Sequence, residues 1–256
     1  MQVTIIGSGN VATVFGRMLA AGGHTIRQVY SRTATHAHSL AGELQAQAVS
    51  AIGDIEREAD IYILCVTDDA LPGVAAQLSL GDRLLVHTAG SVSREVLAGA
   101  SSHYGVIWPM KMIRRSMQEL GPVSVIIDGN TAAVIDRIRD FAGNFSDSIA
   151  VADDGRREKM HMLASVTANF PNHLYQLAAE YCAGEGIDFS VFYPIIEETA
   201  KALRQLPPAR LQAGPAFRGD RKTIGKHEAL LRDYPQLDRL YREITRSLLL
   251  KNGYER

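Results

Sequence analysis

Residues 3–12 read Val-Thr-Ile-Ile-Gly-Ser-Gly-Asn-Val-Ala, a short apolar run that meets a G-x-G-x-x-A turn. Such a turn carries little meaning alone and much more when a strand precedes it and a helix follows. Val3 to Ile6 reads as a buried strand and Asn10 to Ala21 as a helix. In that setting Gly7 permits the tight turn, Gly9 lets the backbone approach a pyrophosphate, and Ala12 lets helix and strand pack closely. The unpaired N–H groups and the positive end of the helix then face the phosphates. Gly7, Ser8, Gly9, Asn10 and Val11 are the expected phosphate cradle.

The choice of dinucleotide is set at the end of the second strand, Thr25 to Tyr30. An NAD site places an acidic residue there, about 20 residues after the glycines, to hold the ribose hydroxyls. This chain has Ser31-Arg32-Thr33 and no carboxylate. Ser31 and Thr33 offer hydroxyls, and the planar guanidinium of Arg32 suits a phosphate. The expected cofactor is therefore NADP.

Further apolar runs at 61–66, 84–87, 104–108 and 124–127 alternate with turns and helical patterns, including 33–45 and 131–141; 148–151 reads as a last strand. Near-continuous apolar strands suit a parallel sheet covered on both faces. The expected class is α/β, a Rossmann-like doubly wound sheet over residues 1–152. The texture changes at Asp153-Asp154-Gly155, and residues 153–256 read as an all-α domain for substrate binding and dimerisation. Its expected helices run over 156–183, with Pro171 kinking it, then 189–206, 222–232 and 235–251.

The 256 residues carry 27 Lys plus Arg against 28 Asp plus Glu, a balance that argues against nucleic-acid binding. The first seven residues lack the basic flank of a signal peptide, and no run reaches the roughly 18 apolar residues of a membrane span. A cytoplasmic protein without membrane contact is expected. Cys65 and Cys182 read as reduced core thiols, and no His, Asp or Glu cluster has metal-ligand spacing, so no metal is expected.

The G-x-G-Asn-Val-Ala turn with Ser31-Arg32-Thr33 resembles the nucleotide domains of pyrroline-5-carboxylate reductase and deazaflavin-dependent NADP reductase. His87-Thr88-Ala89-Gly90-Ser91, His161, Asn169-Phe170, the segment Ala213 to Asp220, Thr223 and His227 extend the likeness over nearly the whole chain. Together they resemble a two-domain family of NADP-dependent oxidoreductases whose C-terminal helical domain has no assigned function. Its more distant relatives are the 3-hydroxyisobutyrate and 6-phosphogluconate dehydrogenases. The resemblance implies a two-electron reductase of a small carbonyl compound, a 2-keto acid such as ketopantoate among them. It also implies a homodimer made by the helical domain, which closes the substrate cleft. The chain departs from the family at Trp108-Pro109-Met110-Lys111, where many members carry His-Pro.

Ligands of open α/β sheets bind beyond the carboxyl ends of the strands. Thr67 and Asp68 are therefore expected along the cofactor, with Asp68 alternatively a helix cap. Thr88, Ala89, Gly90 and Ser91 resemble the loop that holds a substrate carboxylate in the hydroxyacid dehydrogenases. His161, Ser165, Asn169 and His173 are spaced four apart, a polar stripe on one helix. His161 is the expected proton donor, Asn169 and Ser165 the expected substrate contacts, and Lys111 a rival acid or carboxylate anchor. Arg218-Gly219-Asp220 is expected to form a buried Arg–Asp network. Two alternatives stand beside this reading. One is a non-catalytic NADP sensor or partner-binding module, and the other is hydride exchange between NADP and a deazaflavin, which the bulk of Trp108 disfavours.

Overall fold

The apolar runs assemble into one eight-stranded sheet of order β3-β2-β1-β4-β5-β6-β7-β8. The strands are β1 Gln2–Ile6, β2 Thr25–Tyr30, β3 Gln47–Val49, β4 Ile61–Leu64, β5 Leu84–His87, β6 His103–Pro109, β7 Ser124–Gly129 and β8 Ser148–Val151. With them, in a compact unit Met1–Ser165, go the helices α1 Asn10–Ala21, α2 Ala34–Glu43, α3 Leu71–Ala75, α4 Ala132–Ala142 and α5 Asp154–Ala164. This computed structural model describes residues 1–254. The unit is the Rossmann-like α/β sheet that the sequence predicts, and it retains α5 although that helix lies beyond residue 153.

Both faces of the sheet are covered, which is why a central strand such as β4 is buried along its whole length. Val3, Ile5, Ile61, Ile63, Leu84 and Val86 enter one core with α1, α2 and α4. Their neighbours Ile6, Tyr62, Leu64 and Leu85 enter the other, with Leu71 and Val74 of α3. β3 escapes prediction because Gln47-Ala48-Val49 has no apolar run. It is an edge strand held by parallel pairing with β2.

The expected all-parallel sheet needs one correction: β6 and β7 are antiparallel, with Val106 opposite Asp128. A parallel return requires a crossover, usually a helix. Residues 110–123 contain no helix, so the chain comes back beside the strand it has left. Arg17 of α1 holds that connection in place. Its guanidinium pairs with Glu43 and donates to the carbonyls of Arg115 (2.7 Å) and Met117 (2.9 Å).

The second unit, Val166–Arg256, contains α6 Phe170–Glu185, α7 Tyr193–Ala202, α8 Pro208–Leu211, α9 Arg221–Leu230 and α10 Pro235–Lys251. Pro194, Pro208 and Pro235 each stand in the first turn of one of these helices. A missing N–H is harmless there, because first-turn N–H groups have no helical acceptor. For the same reason the expected helix 189–206 begins as a 3₁₀ turn, Phe189–Phe192, with α7 starting beside Pro194. Pro171 differs: residues 154–185 are helical without a break, as the sequence predicts, and the proline lies inside that run. It follows a π-helical turn over Ser165–Asn169.

The expected buried Arg–Asp network at 218–220 does not form. Arg218 is exposed, and Asp220 caps α9 by accepting from the N–H (3.1 Å) and hydroxyl (2.6 Å) of Thr223. Among the described residues no helix is long and apolar enough to cross a membrane.

Candidate cofactor and active site

The strand order reverses between β1 and β4, and the glycine turn lies at that switch point, where open α/β sheets bind ligands. Gly7 has φ +131°, and a Cβ there would run into the carbonyl of Cys65, just past β4. Its N–H donates to Tyr30 at the end of β2 (2.8 Å). The first helical bond of α1 is from Thr13 N–H to Gly9 O (3.0 Å), which leaves the N–H groups of Asn10, Val11 and Ala12 without a helical acceptor. No side chain caps this end, and no acidic residue occupies the first turn. A Cβ on Gly9 would meet nothing within 4 Å. The open space, the free donors and the absence of a competing carboxylate fit a pyrophosphate.

The Ser8 hydroxyl donates to Ser31 (2.9 Å), tying the turn to the segment that follows β2. Arg32 and Thr33 are exposed beside it, and Arg32 has no ion-pair partner among the described residues. A free guanidinium here fits a phosphate on the adenosine ribose. Asn10 donates to Ile113 O (3.4 Å), so the connection after β6 reaches the mouth of the turn.

The loops after β4 and β5 are joined, because the Ser91 hydroxyl donates to the Asp68 carboxylate. Asp68 is not the helix cap considered above: the 3₁₀ turn Asp68–Ala70 begins at an exposed Thr67, which makes no side-chain cap. The buried Thr88 turns inward, directing both its N–H (3.2 Å) and its hydroxyl (3.4 Å) at Leu64 O. The Ala89 N–H donates to Nδ1 of His87 (3.2 Å).

Gly90 matters for contact rather than conformation. A Cβ would sit 2.6 Å from Cδ2 of His161 and 2.7 Å from Cε2 of Trp108. The two rings close over the glycine, with centroids 5.6 Å apart and planes inclined at 55°. The structure therefore brings half-buried His161 to the loop expected to bind substrate. Trp108 turns its bulk inward, against Val106, Ile126, Ala152 and the α5 residues Met160 and Ala164.

Lys111 is placed differently from its expectation. Its ammonium donates to Leu120 O, closing the base of its own loop. The polar stripe also divides: the π turn at Ser165–Asn169 breaks the period on which it rests. His161 and Ser165 lie in the first unit and Asn169 in the second.

A buried charge network beneath His161 had no sequence signature. Arg157, on α5, donates from Nη2 to Asp154 Oδ1 (2.6 Å) and Val92 O (2.6 Å), and its Nη1 stands 3.5 Å from Asp128. Arg94 donates to the other Asp128 oxygen (2.6 Å). In sequence Arg157 is one more helical arginine, and Asp128 lies just past the apolar run 124–127. Their burial follows from β7 and α5 meeting the loop after β5. In this setting burial first, and the Arg157 charge second, push the His87 imidazole down to about 4.

Residues 2–90 match the family described as "NADP oxidoreductase coenzyme F420-dependent", and residues 123–248 match "Domain of unknown function (DUF2520)". The chain is 33% identical to BF3122 of Bacteroides fragilis, classed as an NADP oxidoreductase, with 97% of each chain covered and a TM-score of 0.86. Pyrroline-5-carboxylate reductase of Streptococcus pyogenes is 18% identical over 97% of this chain and 98% of its own, with a TM-score of 0.67. A reductive aminase of Aspergillus terreus, solved with NADPH and ethyl-5-oxohexanoate, is 19% identical over 96% and 94%, with a TM-score of 0.72. No curated protein matches the chain.

His87 makes stability pH-dependent. Unfolded, its imidazole takes up a proton near pH 6.5; folded, it resists protonation to about pH 4. The unfolded state binds more protons in between, so this stability is complete above that window and is lost as pH falls through it. The loss between pH 7.5 and 4.5 is about 2 kcal/mol. Urea unfolding at the two pH values should show a smaller fall for His87→Gln than for wild type. Equal falls would contradict the buried neutral imidazole.

Proposed function

The chain belongs to the family of two-domain NADP oxidoreductases, a nucleotide domain followed by DUF2520, and on that premise we propose that it reduces a small carbonyl substrate. NADP is its cofactor. Bound NADPH supplies a hydride; the chain's own residues bind, orient and protonate. The observation that carries the reading is His161, held at Gly90 and Trp108 beyond the carboxyl end of β5.

Asn10, Val11 and Ala12 offer N–H groups to the pyrophosphate, and Arg32 pairs with the ribose phosphate. Thr88 and Ala89 support the next loop from within, and the Gly90 and Ser91 N–H groups receive a substrate carboxylate. His161 donates its Nε2 or Nδ1 proton to the substrate oxygen as the carbonyl becomes an alcohol. Imidazoles suit this work because they titrate near neutrality as a class. Lys111 stays with its loop. A 2-keto acid such as ketopantoate satisfies the anion-binding loop and the proton donor together. The cytoplasm suits two free buried thiols, Cys65 and Cys182.

The second unit serves as the dimer surface in this proposal. Phe170, Val191, Tyr193, Ile195, Leu203 and Leu230 are each more than half exposed there. Large exposed apolar side chains mark association surfaces, and twofold pairs are the commonest assembly. Light scattering at micromolar concentration should give twice the chain mass; a monomer would contradict the proposal.

NADPH should bind more tightly than NADH. Removing a charge-assisted contact costs about 1.5–3 kcal/mol, so Arg32→Ala should weaken NADPH by about 10- to 150-fold and leave NADH nearly unchanged. Coenzyme fluorescence titrations measure both, and equal wild-type affinities would remove the Arg32 argument.

A panel of 2-keto acids, imines and a deazaflavin, followed by NADPH absorbance, tests the reaction itself. NADPH binding without turnover on any of them would favour a sensor. On the carbonyl turned over, His161→Ala should lower kcat at least about 100-fold with NADPH affinity retained. A near wild-type kcat would exclude His161 as the donor.

A further inference from the structure

Half-buried His161 lies on α5 one turn beyond a fully buried arginine, Arg157. We propose that Arg157 is a positioning residue, whose ion network clamps α5 to the loop after β5 and so holds the His161 imidazole over Gly90. The inference rests on the reading of His161 as proton donor.

The Arg157 side chain is 1% exposed. A guanidinium so buried persists only with acceptors around it. Its Nη2 finds two, on α5 and on the loop after β5, while Nη1 faces the Asp128 charge on β7 at 3.5 Å without a hydrogen bond. Asp154 lies one turn back on α5, Val92 O lies in the loop after β5, and Asp128 lies on β7. The loop grips the helix in return: the Ser93 hydroxyl and Arg94 N–H (3.2 Å) both donate to Asp154. Arg94 then reaches Asp128 (2.6 Å) and Gly129 O (3.0 Å), which closes the ring of contacts on β7.

Arg157 and His161 are four residues apart and share a helix face. Val92 and Gly90 are two residues apart in one loop. The same helix and loop therefore meet twice, once at Arg157 with Val92 and once at His161 with Gly90. Sliding α5 by one residue moves it about 1.5 Å along its axis, enough to break the 2.6 Å bond from Arg157 to Val92 O. Apolar packing alone tolerates such a slip, whereas directional ion pairs are best attested as register devices. The network fixes where His161 lies against Trp108.

The test uses the whole chain, and no substrate is needed. In proton–carbon NMR spectra of histidine-labelled protein, the His161 ring signals are identified by their loss in His161→Gln. The adjacent Trp108 ring displaces them in the wild type. In Arg157→Met they should return toward the position of free histidine, with NADPH affinity by coenzyme fluorescence unchanged. Should Arg157→Met fail to fold, Asp154→Asn leaves Arg157 with Asp128 and leaves the Asp153 cap of α5 intact. It should shift the same signals in the same direction by less. Wild-type His161 signals in a folded variant with a lowered Tm would overturn the proposal and reduce Arg157 to a stabilising residue. Wild-type turnover by His161→Ala would instead remove the donor reading, and the NMR result would still report what holds the ring.

Discussion

The backbone contact at Gly7 governs the geometry of the nucleotide domain. There the chain leaves β1 with φ +131° and passes against the carbonyl of Cys65, a contact that any side chain would block. That approach brings the start of α1 to the switch point of the sheet, with three N–H groups lacking a helical acceptor and no acidic residue in its first turn. The helix end carries the equivalent of about half a positive charge. The bond from Gly7 to Tyr30 and the Ser8–Ser31 hydroxyl pair then set the end of β2, and with it Arg32, at a fixed distance from that charge. One turn thus sets both proposed phosphate positions.

The other side of the site depends on charges rather than backbone. Two aspartates, Asp128 and Asp154, and two arginines, Arg94 and Arg157, lock β7, α5 and the loop after β5 together. Trp108 fills the apolar space above them, between β6 and α5. Gly90 leaves room for Trp108 and His161 to meet. The helix-free connection 110–123 is steadied in a comparable way. Arg17 holds its carbonyls from α1, and Lys111 closes its base. Of these two cations Lys111 is the one expected at the substrate, and its ammonium donates to its own loop instead.

Much of the fold was legible because its signals are local. The glycine turn between an apolar run and a helix, the alternation of strands with helices, and the change of texture near residue 153 all arise from neighbouring residues. Strand β3 was not legible, since three residues with one buried side chain make no pattern; its pairing partner β2 creates it. The antiparallel β7 was not legible either, because strand direction is set by the path of the connection and not by the strand's own residues. The start of α7 at Pro194 turns on whether a proline falls inside a helix or in its first turn, and that depends on where the preceding 3₁₀ turn ends.

The same division runs through the site. The sequence by itself determined the glycine turn between strand and helix, the Arg32 position after β2 and the candidacy of His161, because each follows from residue type and short spacing. Only the tertiary structure decided that His161 meets Trp108 and Gly90, that Lys111 serves its loop, and that Arg157 is buried between two aspartates. The contacts of His161 with Trp108 and Gly90, and of Arg157 with Asp128, join residues some 30 to 70 positions apart. A charged side chain looks the same in sequence whether water or a carboxylate surrounds it, and only packing settles which one does.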